Sequence, residues 1–119
     1  MKPEEEYTVA EFMNKDVVEA TAETLVIDCA NVMAAEKVSS AVVTNDNALV
    51  GIVTEKDLAR KIVAKGLDPK KVKVGDIMTT DLVTVEPETS LYDAMLKLNS
   101  RKIKHLPVVR DNVVVGIIT

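Results

Sequence analysis

The chain has 119 residues, of which 47% are hydrophobic and 29% charged, a composition typical of a globular protein rather than a disordered one. Its formal net charge of −4 argues against a broad nucleic-acid surface, which needs an excess of basic side chains. Apolar runs stay far below the roughly twenty residues of a membrane span, so no membrane partner is expected. The N-terminus carries Glu4, Glu5 and Glu6 where a secretory signal would be basic and then apolar, which predicts a cytoplasmic location.

An internal duplication organises the chain. Residues 9–54 align with residues 74–119 at a constant offset of 65 positions without a gap, and fifteen of the forty-six aligned pairs are identical. Such a repeat indicates one supersecondary unit used twice. A copy of about sixty residues buries little surface by itself, so we expect the two copies to fold together about a pseudo-two-fold axis.

Each copy begins with a short segment that ends in methionine, 9–13 in the first and 74–78 in the second. A β-rich run follows and predicts a strand, at 17–20 and at 82–85.

An amphipathic helix is predicted next, beginning near residue 25 in the first copy and near residue 90 in the second, because apolar residues there recur at helical spacing. In the second copy Ser90 and Asp93 stand in capping-box register, in which a hydroxyl and a carboxylate accept hydrogen bonds from amides of the first turn.

A β-hairpin completes the shared pattern. In each copy two β-rich runs flank an Asp-Asn pair, and both of these residue types favour tight turns. The predicted runs are 41–44 and 48–53 around Asp46-Asn47, and 106–109 and 113–118 around Asp111-Asn112.

Only the first copy continues beyond its hairpin. The segment from Thr54 to Asp57 leads into apolar positions as far as Val63, which predicts a second helix ending at Gly66. The order of elements is β-α-β-β-α, and the predicted fold class is α+β. The second copy stops at Thr119, the counterpart of Thr54, before its last helix, so we expect the natural polypeptide to run on.

These patterns predict a first domain at 9–66, a linker at 67–73 and a second domain at 74–119. The linker contains several lysines, and we interpret it as solvated chain rather than as a functional basic tract.

The residues that carry most enzymatic chemistry are scarce. The chain has one histidine and one cysteine, and it lacks a GxSxG motif, a glycine-rich phosphate loop and a cluster of metal-ligand residues. We expect neither enzymatic activity nor a catalytic cofactor. Cys29 cannot form an internal disulfide, and its apolar neighbours predict a core position.

The duplicated pattern resembles a tandem pair of cystathionine-β-synthase-type domains, known as CBS domains or, as a pair, a Bateman module. The resemblance rests on the repeated β1 region (13–18 and 78–83), the strand entry at 105–108, and the Gly-Ile-Val-Thr-Glu-Lys-Asp segment at 51–57. It covers almost the whole chain.

The resemblance implies a regulatory module. It implies binding of an adenosine-containing ligand (AMP, ADP, ATP or S-adenosylmethionine) in clefts between the two domains. It also implies control of a fused or separate protein and pairing of the module into a homodimer. A CBS pair without ligand, serving as a dimerisation or docking scaffold, is the alternative.

Thr54 and Asp57 are the main candidate ligand residues of the first cleft. Thr54 ends a predicted strand where free amides at a helix start attract anions, and its hydroxyl can contact ribose or phosphate. Asp57, one turn on, can accept hydrogen bonds from both ribose hydroxyls, and Gly51 would leave room for the ligand. The same Thr-x-x-Asp pattern is also a plain capping box. By resemblance, the base would lie against Asp16, Val17, Val18, Ser40, Ala41 and Val42.

The second cleft lacks a counterpart of Asp57, so we do not expect it to bind unaided. Lys104 and His105 form a basic pair there that can neutralise phosphate, whereas the first copy has Ser39 and Ser40. By resemblance, the remaining residues of this cleft would be Thr79, Thr80, Asp81, Leu82, Val83, Pro107 and Thr119.

Overall fold

A computed structural model describes Pro3 and residues 6–119. The chain folds into two compact units. The central unit is Val18–Leu82, and the terminal unit consists of Met1–Val17 together with Val83–Thr119. Each unit therefore contains the helix and hairpin of one sequence copy together with the short first segment of the other copy, 9–13 or 74–78, which we call its opening segment. Within the described residues, no helix has the length and apolar content needed to cross a bilayer.

The central unit is built on three strands. Strand β1 (Glu19–Ala20) pairs in parallel with β2 (Ser40–Asn45), and β2 pairs antiparallel with β3 (Ala48–Thr54). Helix α2 (Val26–Glu36) packs against them with the short helix α4 (Val74–Ile77). The core of this unit is apolar: Ala20, Val26, Cys29, Met33, Ala41, Val43, Val53, Ile62, Val74 and Ile77.

The terminal unit repeats this arrangement with less β structure. Helix α5 (Leu91–Arg101) and the short helix α1 (Val9–Phe12) pack against the antiparallel pair β4 (Leu106–Arg110) and β5 (Val113–Ile118). The buried side chains of its core are Val9, Val85, Ala94, Leu106, Val108 and Ile118.

The first strand of each copy is shorter than the sequence predicts. The strand predicted at 17–20 is confined to Glu19–Ala20, and the one predicted at 82–85 is reduced to a single parallel bridge between Val85 and Val108. Both predictions were therefore too long. Residues with high β propensity are favoured in any extended, half-buried segment, whether or not it pairs with another strand. A β-rich run therefore does not define how many of its residues form interstrand hydrogen bonds.

The hairpins confirm the turn prediction. Asp46 and Asn47 have φ values of 50° and 68°, and Asp111 and Asn112 have 50° and 65°. Positive φ at both central residues is the requirement of the two-residue turn that matches strand twist, and Asp and Asn tolerate it better than most side chains.

The long helices begin where the sequence predicts, at Val26 and at Leu91. The hydroxyl half of the predicted cap at Ser90 is confirmed, because its Oγ accepts a hydrogen bond of 3.0 Å from the Asp93 N–H.

The helix after Thr54 is confirmed but wider than expected. Helix α3 (Glu55–Asp57) continues as a π-helix over Leu58–Val63, with the Ala64 N–H bonded to the Ala59 carbonyl at 2.8 Å. It ends in a turn at Gly66, whose φ is 64°. The residues of Leu58–Val63 carry no signal that separates a π-helix from an α-helix.

The residue that follows each opening segment is held to a hairpin by paired backbone bonds. In the central unit Ile52 and Thr79 exchange N–H to carbonyl bonds of 3.0 and 2.8 Å, and in the terminal unit Asn14 and Ile117 do the same at 2.8 and 2.9 Å.

Gly51 packs directly against a methionine side chain within the central unit. A Cβ on Gly51 would lie 2.6 Å from the Met78 Sδ and 3.0 Å from its Cγ, closer than van der Waals contact allows. The same relation holds between Gly116 and Met13 in the terminal unit, at 2.6 Å. The glycine therefore makes room for a methionine of the opening segment, a role that no local pattern in the sequence indicates.

We expect Gly51→Ala to lower the free energy of unfolding by about 1 to 3 kcal/mol, because the added methyl group overpacks the site of Met78. Urea denaturation measures this loss. Shortening the methionine makes room, so Gly51→Ala with Met78→Ala should lose less stability than the two single changes added together. Additive losses would mean that the two side chains do not compete for space.

Candidate functional site

Asp57 lies at the junction of strand β3 and helix α3, where Thr54 is the N-cap residue. The Thr54 N–H donates to the Asp57 Oδ2 at 3.0 Å, and the Asp57 N–H donates to the Thr54 Oγ1 at 3.3 Å. These two bonds are the reciprocal capping box that the sequence left as an alternative.

The Thr54 hydroxyl also lies 3.3 Å from Oδ2, and two donors from outside the cap reach the same carboxylate. The Thr79 hydroxyl lies 3.1 Å from Oδ1 and 3.3 Å from Oδ2, and the Lys61 ammonium lies 3.0 Å from Oδ1. The ammonium also donates to the Ile77 carbonyl at 2.8 Å. Asp57 is only 6% exposed, so its charge is stabilised by these donors rather than by water.

The Asp57 carboxylate therefore joins three pieces of chain. It caps its own helix, holds the end of β3 through Thr54, and contacts the segment after α4 through Thr79. A carboxylate has about four acceptor positions, and these donors use most of them. Ribose hydroxyls could form a bidentate contact with Asp57 only by replacing some of these donors, of which Thr79 and Lys61 are the two outside the cap.

The central unit also brings together the predicted residues of strand β2. The strand register places Ser40 opposite Thr54, and the Val42 N–H bonds to the Val18 carbonyl at 2.9 Å. Ser40, Ala41 and Val42 are buried, and Val18 is half-buried against the core. Thr80 and Asp81 are exposed and Leu82 is half-buried, directly after Thr79.

The other predicted site residues belong to the terminal unit. Asp16 is exposed, with its N–H bonded to the Asn14 side chain at 2.9 Å, and Val17 is half-buried. Pro107 is buried within β4, opposite Ile117. The remaining residues are Lys104 and Thr119, which are exposed, and His105, which is half-buried.

Sequence reasoning did not identify Lys61 as part of the site. A signal was present, because Asp57 and Lys61 are four residues apart on a predicted helix, a spacing at which opposite charges meet. Thr79 was assigned to the second cleft from its place in the repeat. Its bond to Asp57 follows from the packing of the opening segment on the other copy's hairpin, which no local pattern predicts.

A family model described as CBS domain matches residues 9–64 and 74–119. The chain belongs to the CBS-domain family, as a tandem pair. CBS-domain proteins are typically regulatory or signal-transduction modules rather than enzymes.

The curated relatives include a mitochondrial CBS domain-containing protein from Arabidopsis thaliana, CBSX3. It is 38% identical over 104 residues, which cover 83% of this chain and 50% of the relative. This CBS pair thus spans about half the length of that relative, and it covers 18% of another Arabidopsis relative, CBSCBSPB2, at 35% identity over 80% of this chain.

Solved structures share the fold of this CBS pair over nearly its full length. An uncharacterized conserved protein from Pyrococcus horikoshii has a TM-score of 0.90 at 28% identity, covering 99% of this chain and 89% of that one. The CBS domain pair of protein MJ0100 has a TM-score of 0.85 at 25% identity, covering 94% and 88%. That structure is a complex with 5′-methylthioadenosine and S-adenosyl-L-methionine.

The cysteine of this CBS pair lies apart from the Asp57 site. Cys29 is 3% exposed in the core of the central unit, which confirms its predicted burial, and desolvation raises the pKa of its thiol. Across the described residues, no group of three or more His, Cys, Asp or Glu side chains is placed to hold a metal ion.

We expect Asp57→Ala to lower the free energy of unfolding by about 2 to 3 kcal/mol, because it removes the cap and leaves Thr79 and Lys61 without their shared acceptor. Lys61 is 38% exposed, so its ion pair contributes the smaller part. Urea denaturation measures the loss.

The matched control is Asp93→Ala. Asp93 is the third residue of helix α5, as Asp57 is of α3, but it is exposed. Its backbone N–H bond to the Ser90 hydroxyl survives the change. A loss within about 0.5 kcal/mol is expected for it. Equal losses for the two variants would contradict a joining role for the buried carboxylate.

Proposed function

We propose that this CBS pair is a regulatory module that binds an adenosine-containing nucleotide at the junction of β3 and α3, with Asp57 as the ribose-binding residue. The observation that carries the proposal is a buried carboxylate whose partners include a side-chain hydroxyl and an ammonium. Ribose hydroxyls are the same kind of donor as the Thr79 hydroxyl. The ligands of MJ0100, both of which contain adenosine, support this choice of ligand class.

Binding exchanges one set of hydrogen bonds for another. The Thr54 N–H keeps its bond to Oδ2, while two ribose hydroxyls take the places of the Thr79 hydroxyl and the Lys61 ammonium. The number of bonds to the carboxylate is conserved, so the exchange does not leave the buried charge unsatisfied. The base then lies against Val18 and the start of β2, where backbone groups and aliphatic side chains can contact it.

The exchange also provides a signal. Thr79 exchanges backbone bonds with Ile52 and contacts Asp57, so loss of the side-chain bond weakens the attachment of the opening segment to the hairpin. A ligand favours whichever arrangement of that segment it binds more tightly, by the difference in its affinities. The regulated protein, fused or separate, responds to this change, and the module acts as a homodimer.

A ligand-free scaffold is the competing function. Two observations favour it: the Asp57 carboxylate is already satisfied by the protein, and helix α5 exposes Tyr92, Met95 and Leu96, which can pack against a partner. A scaffold binds no adenosine ligand and requires no change at Asp57.

Calorimetric titration with AMP, ADP, ATP and S-adenosylmethionine separates the two functions. We expect at least one of the four to bind, and we expect Asp57→Ala to abolish that binding because the ribose loses its acceptor. The titrations are run where circular dichroism shows the variant to be folded. Asp76→Ala is the control, since Asp76 is an exposed helix-start aspartate of the same unit and should leave affinity unchanged.

Absence of heat with all four compounds would contradict nucleotide binding and favour the scaffold. Binding that survives Asp57→Ala would place the ligand elsewhere.

A further inference from the structure

Lys61 places a positive charge directly at the candidate ribose acceptor. Its Nζ lies 3.0 Å from the Asp57 Oδ1 and 2.8 Å from the Ile77 carbonyl oxygen, yet 38% of the side chain is exposed. The side chain is thus anchored through its ammonium and remains partly exposed to solvent. An ammonium has three donors, and these two contacts use two of them.

Most charged residues that neighbour Lys61 in the sequence are also basic. Residues 56–73 contain seven basic and two acidic side chains, a net of +5 in a chain whose net charge is −4. Lys56, Arg60 and Lys65 are exposed on or just after the helix that carries Asp57 and Lys61. Glu55 is the exposed acidic residue on the same helix. The segment that carries Asp57 and Lys61 is therefore basic within an acidic chain, and such a segment attracts anionic ligands.

We propose that Lys61 makes this site select adenosine ligands that carry a 5′-phosphate over those that carry a neutral or cationic 5′-group. The inference rests on the proposed function, because it assumes that ribose binds at Asp57. When ribose hydroxyls take the outer acceptor positions of Asp57, the ammonium loses its bond to Oδ1 and is left with a charge to be neutralised. Its flexible four-carbon stem lets it turn to a phosphate, which is a stronger acceptor than water.

The chemistry of the alternatives gives the direction of selectivity. S-adenosylmethionine has a positively charged sulfonium next to the ribose, which the Lys61 ammonium repels. 5′-Methylthioadenosine carries an uncharged sulfur at the same position, so the Lys61 ammonium neither raises nor lowers its affinity. AMP differs from it by a dianionic phosphate at that position and gains a charge-assisted hydrogen bond.

Titration calorimetry with AMP, 5′-methylthioadenosine and S-adenosylmethionine tests the inference. We expect the wild-type protein to bind AMP about tenfold more tightly than 5′-methylthioadenosine, the advantage of one hydrogen bond to a charged group. Lys61→Met should remove most of this difference by weakening AMP, and 5′-methylthioadenosine should bind at least as tightly as before. The AMP advantage should also shrink as salt is raised.

Two variants serve as controls. Lys61→Arg keeps the charge and should keep most of the preference for AMP, which separates the role of the charge from that of the packed stem. Lys65→Met removes an exposed cation just beyond the same helix and should change the ratio of affinities by less than about twofold, because solvent screens it.

The outcomes separate this inference from the proposed function. If 5′-methylthioadenosine and AMP bind with equal affinity, or if Lys61→Met leaves the ratio unchanged, the role of Lys61 is overturned while nucleotide binding stands. If none of the three compounds binds the wild-type protein, the proposed function fails and the inference fails with it.

Discussion

A buried carboxylate must keep its hydrogen bonds, and this requirement organises the central unit. Asp57 is nearly inaccessible to water, so each of its donors is held at a defined distance: the Thr54 backbone and hydroxyl, the Thr79 hydroxyl and the Lys61 ammonium. These donors come from the end of a strand, the residue that follows the opening segment of the other copy, and the following helical turn. One side chain thus links a helix start, a hairpin and a segment that is distant in sequence.

The same requirement connects stability to the proposed ligand binding. The acceptor positions of the Asp57 carboxylate are already used by donors of the folded chain. A ligand can bind to it only if the ligand's own donors replace some of these with hydrogen bonds of similar strength. Thr79 is a neutral hydroxyl that a sugar hydroxyl can replace, whereas the Thr54 backbone bond belongs to the helix cap. The site is therefore divided between donors that maintain the fold and donors that a ligand could replace. This division lets one carboxylate connect three segments of the chain in the ligand-free state and also serve as the proposed ribose acceptor.

Much of the fold was predictable because the responsible signals are local and occur twice. Helix starts near 25 and 90 follow from apolar spacing, and the Asp-Asn turns follow from the tolerance of these residues for positive φ. The capping box at Thr54 is likewise a four-residue pattern. The length of the first strands was not predictable, because whether 82–85 forms a ladder depends on a partner strand rather than on its own composition.

The amino-acid sequence by itself determined the duplication, the order of elements, the absence of a second cysteine and the presence of an aspartate one turn into a helix. Only the tertiary structure decided what that aspartate contacts. The bond from Thr79 spans twenty-two residues and depends on the opening segment of one copy packing against the hairpin of the other, with Met78 filling the space beside Gly51. Local patterns describe which conformations a segment prefers, but contacts between distant segments follow from how their surfaces fit together.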